Sequence, residues 1–305
     1  MTKNSDTRNG IVLAMFGTSV EGALPGLLHI RDRVRARFPQ TPVRIAFTSK
    51  IIRRIWQTRA SDSSYRFVHP EVPEDIFDVQ STEEVILNLQ EEGIDFFVVQ
   101  PVLIAPALKI PDVGFVANGA GATIATGSSG AAPIGRIVFG RPALGDYRRA
   151  YPSVDDTVIA ARSLSGDVIL ARKERAALLY MGHGNMKHST YRVYDELVAE
   201  MRRQYPDVIT VMSLIEEGPS LDETVRELKG HRVTKILLKA FMIVAGDHVR
   251  KDMVGNGPGN LKTRLEEEGF AVVPLFKGLG QEDAFADIFV QHVADAGRDA
   301  GVELR

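Results

Sequence analysis

Residues 235–253 read KILLKAFMIVAGDHVRKDM, an apolar run that breaks into Ala-Gly-Asp-His where a helix is expected to begin. Residues 236–244 suit a strand buried on both faces, and Gly246 with Asp247 supplies a turn and a helix N-cap that aims His248. In an open parallel sheet, the loop beyond a strand's carboxyl end is where ligands bind. His183 has the same setting. In AALLYMGHGN (176–185) it follows a strand at 176–181 and lies between Gly182 and Gly184, which let backbone approach a ligand closely. A single strand-end histidine is more often structural than functional, but two at matching positions point to one shared task.

The strand-plus-exit unit recurs along the chain. IVLAMFGTS (11–19) is echoed by ALLYMGHGN (177–185), VRIAFTSK (43–50) by VITVMSLIEE (208–217), FFVVQPVLIAP (96–106) by ILLKAFMIVAG (236–246), and GRIVFGRPALG (135–145) by AVVPLFKGLG (271–280). Four echoes in one order indicate duplication of an α/β unit. The expected fold is α/β, with two similar parallel-sheet domains facing each other across a cleft: residues 1–145, and residues 146–305 carrying the histidines. A helix and linker over 146–173 join them. In the first half a helix runs to about Phe38, stopped by Pro39 and Pro42. A short basic helix spans 50–56, a polar loop 58–78, and Ser81 with Glu84 forms a capping box for a helix to Glu92. Residues 116–133, VANGAGATIATGSSGAAP, are small and Gly-rich and read as a mobile loop or lid. The second half adds helices at 189–204, 220–229 and 261–268, and a last one at 281–300 that crosses back to brace the first domain. His188 reads as a helix-entry residue, and His29, His69, His231 and His292 fall on expected surface helices or loops.

Composition narrows the function. At 305 residues two domains are the natural expectation, and a formal net charge of −2 offers no polyanion-binding surface, so nucleic acid is not an expected partner. Cys is absent, which removes thiolate metal sites and iron–sulfur clusters, so any metal is held by imidazole and oxygen. The polar N-terminus is unlike an export signal and no stretch reaches spanning length, so a cytoplasmic protein without a membrane partner is expected. No GxxxxGK(S/T) loop is present, and where a dinucleotide fingerprint would stand the chain has only GTSVEG, so no nucleotide is expected. Assembly as a homo-oligomer stays open.

Together MFGTS (15–19), AFTSKIIRRI (46–55), MGHG (181–184), VMSLIEEGPSLDE (211–223) and FMIVAGDHVRKDMVG (241–255) resemble the anaerobic sirohydrochlorin cobalt chelatases of cobalamin synthesis. The resemblance covers essentially the whole chain and implies a class II chelatase: two Rossmann-like halves that insert a divalent metal, here Co(II), into sirohydrochlorin, a precorrin-2 type tetrapyrrole, without ATP. It places metal ligands at His183, Glu216 and His248, with Glu216 rather than Glu217 at the family's offset from Pro219. One departure stands out. The family commonly carries a His and an acid after the Gln-Pro that ends the third strand, whereas this chain has QPVLIAPALKIP, with Leu103 and Leu108 near those places.

The residue chemistry suits the task. Neutral imidazole binds borderline ions such as Co(II), Fe(II) or Ni(II) and accepts a proton near neutral pH, so His183 and His248 serve as ligands and as catalytic groups. A carboxylate beside them completes an open three-ligand set. Glu216 is equally readable as a helix-start acid favoured by the dipole. Carboxylates on the tetrapyrrole call for cations and hydroxyls, for which Thr18, Ser19, Arg53 and Arg54 are the first-half candidates, although the arginines also suit an ordinary solvated face. The alternatives are iron insertion for sirohaem and a non-catalytic tetrapyrrole or metal carrier.

Overall fold

Ile11, Leu13 and Met15 point to one face of a sheet and Val12 and Ala14 to the other, and all five are buried, which requires layers on both sides. The computed structural model describes residues 8–106, 135–145, 154–185, 190–255 and 259–305. The Gly-rich stretch 116–133, Leu108 and His188 lie outside the described residues. The chain forms two compact units, one from the stretch up to Glu21, Leu27–Pro142 and Phe289–Arg305, the other from Gly22–Gly26 and Ala143–Ile288.

In the first unit, β1 (Asn9–Met15) leads to α1 (Leu24–Arg37), whose residues up to Gly26 group with the second unit, then β2 (Val43–Phe47), α2 (Lys50–Ala60), α3 (Ser63–Val68), α4 (Glu74–Phe77), α5 (Thr82–Glu91), β3 (Phe96–Val102) and β4 (Arg136–Phe139). The sheet is parallel in the order β2-β1-β3-β4. The Ser81–Glu84 capping box is present. The segment expected as a polar loop over 58–78 instead contains the end of α2 and two short helices. Asp62 caps α3 by accepting from the Ser64 and Tyr65 amides, and Ile76 and Phe77 bury the apolar side of α4. His292 is also not on the surface: it is 1% exposed and its Nδ1 donates to the Arg141 carbonyl at 2.8 Å, next to the buried Arg141–Asp295 ion pair.

The second unit repeats the plan. After α6 (Asp156–Ser163) and α7 (Ser165–Glu174) come β5 (Ala177–Gly182), α8 (Tyr191–Gln204), β6 (Thr210–Leu214), α9 (Leu221–Gly230), β7 (Lys235–Ala240), α10 (Leu261–Glu267), β8 (Ala271–Leu275) and α11 (Asp283–Asp299), whose residues from Phe289 onward group with the first unit. The parallel order is β6-β5-β7-β8, so the echoed segments occupy equivalent places in both sheets. Among the described residues no helix is long and apolar enough to cross a membrane.

One charge lies inside this second core. Lys239 interrupts the apolar β7; its side chain is 2% exposed and its ammonium donates to both Asp167 oxygens at 2.7 and 2.9 Å and to Glu282 at 3.2 Å. The buried Tyr180 hydroxyl donates to Asp167 at 2.8 Å, and burial, with the Asp167 charge beside it, holds that phenol well above its ordinary pKa. Burial would raise the Glu282 carboxyl, but the charge of Lys239 and hydrogen bonds from Lys277 and Lys239 outweigh it and lower its pKa. A depressed folded pKa stabilises the fold above the ordinary carboxylate range and loses that contribution as pH falls through the lowered value. Urea unfolding should therefore show that Glu282→Gln flattens the acid limb of the stability–pH curve. Lys239→Met, which strands Asp167, should cost about 3 kcal/mol at pH 7, and adding Asp167→Asn, which removes the charge and keeps an acceptor for the Tyr180 hydroxyl, should recover most of it; equal losses in the single and double variants would show that the stranded charge is not the source of the cost.

Candidate metal-handling site

The parallel ladder of the second unit does not stop at the strand ends. Beyond β5 and β6 the Ile215 amide donates to the Gly182 carbonyl at 3.0 Å and the Glu216 amide to the His183 carbonyl at 2.9 Å. On the other flank the Phe241 amide donates to Met181 at 2.7 Å. These bonds align the exits of β5, β6 and β7, the three loops that carry His183, Glu216 and His248.

The side chains then meet. The two imidazoles stack edge to face with centroids 4.7 Å apart and planes at 85°, and His183 Nδ1 lies 3.9 Å from Glu216 Oε1. All three are partly open, with side-chain exposures of 42%, 47% and 40% for His183, His248 and Glu216. Both Nδ1 atoms face groups that can only accept: the Gly184 carbonyl lies 3.0 Å from that of His183 and Asp252 Oδ2 lies 2.6 Å from that of His248. In the neutral rings the proton therefore sits on Nδ1 and the Nε2 lone pair is left for an incoming ion. Among the described residues no three His, Asp or Glu side chains are preset as a coordination group. The two imidazoles and Glu216 are gathered within reach, and side-chain rotation has to complete the set.

Two acids do work that the sequence did not assign to them. Asp247 is not the cap that aims His248; it is exposed and its carboxylate is 3.9 Å from Lys251. The five-residue π-helical turn Val249–Met253 starts directly after His248 without a side-chain cap, and Asp252, four residues on, fixes the imidazole instead. Its signal was the His-x-x-x-Asp spacing within the opening stretch. Glu217 anchors the loop beyond β5: its Oε1 accepts from the Asn185 amide at 3.0 Å, the Thr190 amide at 2.9 Å and the Thr190 hydroxyl at 2.5 Å. Gly184 fits this contact because its φ is +75°, and a Cβ there would stand 2.8 Å from Glu217 Cγ.

The first-unit candidates are placed differently. The Thr18 hydroxyl accepts from the Val20 amide at 3.1 Å, and the residue is buried. The Thr18 and Ser19 carbonyls accept from the Trp56 indole at 2.8 Å and from Arg59 at 2.7 Å. Arg53 donates to the Phe47 carbonyl at its own strand exit, whereas Arg54 is exposed. These contacts brace the loops of that unit, leaving the Ser19 hydroxyl and Arg54 as its more available polar groups.

Residues 9–298 match the family described as cobalt chelatase (CbiK). The chain is 29% identical over 304 residues to a sirohydrochlorin cobaltochelatase (CbiKC) of Nitratidesulfovibrio vulgaris, covering 95% of this chain and 91% of that one. It is 29% identical over 126 residues to a sirohydrochlorin cobaltochelatase of Salmonella typhimurium, covering 41% of this chain and 46% of that one. Among solved structures it is similar in fold to SirB from Bacillus subtilis with Fe3+, at a TM-score of 0.54 and 13% identity over 98% of this chain and all of that one. A sirohydrochlorin chelatase SirB from Bacillus subtilis subspecies spizizenii in complex with cobalt gives 0.52 and 14% over 96% and 97%.

The Glu217 anchor is testable without any ligand. Glu217→Ala should lower unfolding stability by about 1 kcal/mol and speed amide exchange at Asn185 and Thr190, while Glu217→Gln, which keeps an acceptor oxygen, should lie between it and wild type. Unchanged exchange at both amides in the Ala variant would remove Glu217 as the anchor.

Proposed function

We propose that this chain, which belongs to the cobalt chelatase (CbiK) family, inserts Co(II) into sirohydrochlorin without a nucleotide, as a step of anaerobic cobalamin biosynthesis in the cytoplasm. The observation that carries the reading is the His183–His248 pair at 4.7 Å beside Glu216, in a chain without Cys whose relatives bear that activity in their names.

The chemistry follows from the donor set. The ion is substrate, so it must be held firmly enough to shed water and loosely enough to leave. Two Nε2 lone pairs and one carboxylate, half open to solvent, meet that need, and Glu216 offsets part of the ion's charge. Entry of Co(II) into the ring releases two pyrrole protons, which keeps the complex neutral at its centre. As the ion leaves them, the imidazoles regain lone pairs that can take up those protons and pass them to water. Asp252 holds the His248 ring by its Nδ1–H throughout, so the same nitrogen is presented for both tasks. Arg54 and Ser19 remain proposals for the substrate's acidic arms. Leu103, where the family commonly has a His, leaves proton handling to the second-unit pair.

Anaerobic incubation with sirohydrochlorin and Co(II), followed by absorbance, should show metallation above the uncatalysed rate, with Fe(II) and Ni(II) as competitors. His248→Ala should abolish that excess and Asp252→Asn should cut it about tenfold. In calorimetry Glu216→Gln should weaken Co(II) binding; equal affinity would remove Glu216 from the ligand set and leave it an exit-loop acid ahead of the Ser220-capped α9. Tight binding of both substrates with no rate above background would make the protein a carrier, and wild-type metallation by His248→Ala would overturn the proposed site.

A further inference from the structure

Beside the histidine pair, within the second unit, lies a cavity of about 510 Å³ that the chemistry above does not use. Its floor is the carboxyl end of the β5–β6 ladder, where Met181 pairs with Ser213, with Leu214 and Leu261 continuing the apolar surface. Three features at its wall point to an anionic ligand. Ser213 is 9% exposed, and its hydroxyl has no hydrogen-bond partner among the described residues, although it lines the cavity. Arg264 reaches the same space and its guanidinium makes no ion pair or hydrogen bond among the described residues. Lys251 joins it with a single carboxylate, Asp247, at the 3.9 Å edge of ion-pair range. The acid on this wall, Asp252, already has Oδ2 engaged by His248 Nδ1. Two under-partnered cations and a spare hydroxyl over an apolar floor match a carboxylate carried on a short aliphatic arm.

We infer that this cavity is a subsite for a peripheral acetate or propionate arm of the tetrapyrrole, with the carboxylate on Arg264 and Lys251, the Ser213 hydroxyl donating to it, and the methylenes on Met181, Leu214 and Leu261. The inference rests on the proposed function. It draws its ligand from the position of Asp252, which is at once the partner of His248 and a wall of the cavity, so that one side chain separates the imidazole from the pocket. A ligand that reaches both places has a metal-accepting centre and an acidic rim a few bonds apart, and a carboxylated macrocycle is such a ligand. A free inorganic anion would satisfy the cations but has no use for the apolar floor.

The test uses the whole protein and two exposed positions outside the metal-handling set. Lys251→Gln with Arg264→Gln should raise Kd for sirohydrochlorin, read by fluorescence quenching without metal, and KM for it in Co(II) insertion, each by at least about tenfold. Turnover at saturation and Co(II) affinity should stay at wild-type values. Arg264→Lys should restore part of the loss, and fully methyl-esterified sirohydrochlorin should bind wild type and double variant alike. If wild type metallates sirohydrochlorin and the double variant shows unchanged KM and Kd, the subsite is wrong and the proposed function stands. If wild type binds sirohydrochlorin in a manner that depends on Arg264 and Lys251 yet never metallates it, the subsite stands and the chelatase reading falls. Absence of sirohydrochlorin binding to wild type overturns both.

Discussion

The pairing of β5 with β6 on one side and β7 on the other is the constraint on which the second unit depends. A parallel strand flanked on both sides has no freedom of register when its side chains are buried on both faces, because a one-residue slip would exchange the two faces throughout. β5 is buried along all of its residues, so its partners are locked, and the continuation of the ladder through Gly182–Ile215 and His183–Glu216 carries that precision into the exit loops. The ladder fixes His183 against Glu216, and the exit of β7 at Phe241, from which the chain runs on to His248, is fastened to Met181 in the same way.

Within that frame, neighbouring acids take separate tasks for reasons of geometry rather than type. Glu216 and Glu217 are adjacent in sequence, yet one lies 3.9 Å from the His183 ring while the other accepts three hydrogen bonds from the loop after it. Asp247 and Asp252 divide in the same manner: the first stays in solvent, and the second presses on His248 at 2.6 Å. An ion that must be delivered rather than stored suits this arrangement, since ring orientation is fixed through Nδ1 while the donor atoms stay partly open.

The two units share strand order but not the use of their exits. In the first, the loop after β1 is fastened by Trp56 and Arg59 and the Thr18 hydroxyl turns back to its own loop. In the second, the corresponding loop holds His183 between glycines. The apolar pattern that folding requires is thus common to both sheets, while the exits differ, since loop residues contribute little to the core.

Much of this was legible in the chain itself. Apolar runs of strand length, their repetition in one order, the Ser81–Glu84 capping box and two histidines after two strands depend on local pattern, and local pattern survives in a linear reading. The short helices within 63–77 leave no signature in a linear reading because their stability comes from burying Ile76 and Phe77 and from the Asp62 cap, not from any long periodicity. Lys239 merges into an apolar run in the linear sequence because its partners Asp167 and Glu282 are 72 and 43 residues away, and His292 reads as a surface residue because its acceptor, Arg141, is 151 residues away. Sequence by itself determined the α/β class, the recurrence of four strand-plus-exit segments in one order, and the presence of a histidine beyond each of two of those strands. Tertiary structure alone decided which carboxylate touches which ring and which cations beside the cavity are under-partnered among the described residues, because those outcomes depend on side-chain directions at the ends of strands brought together by the sheet, a distance that sequence separation does not encode.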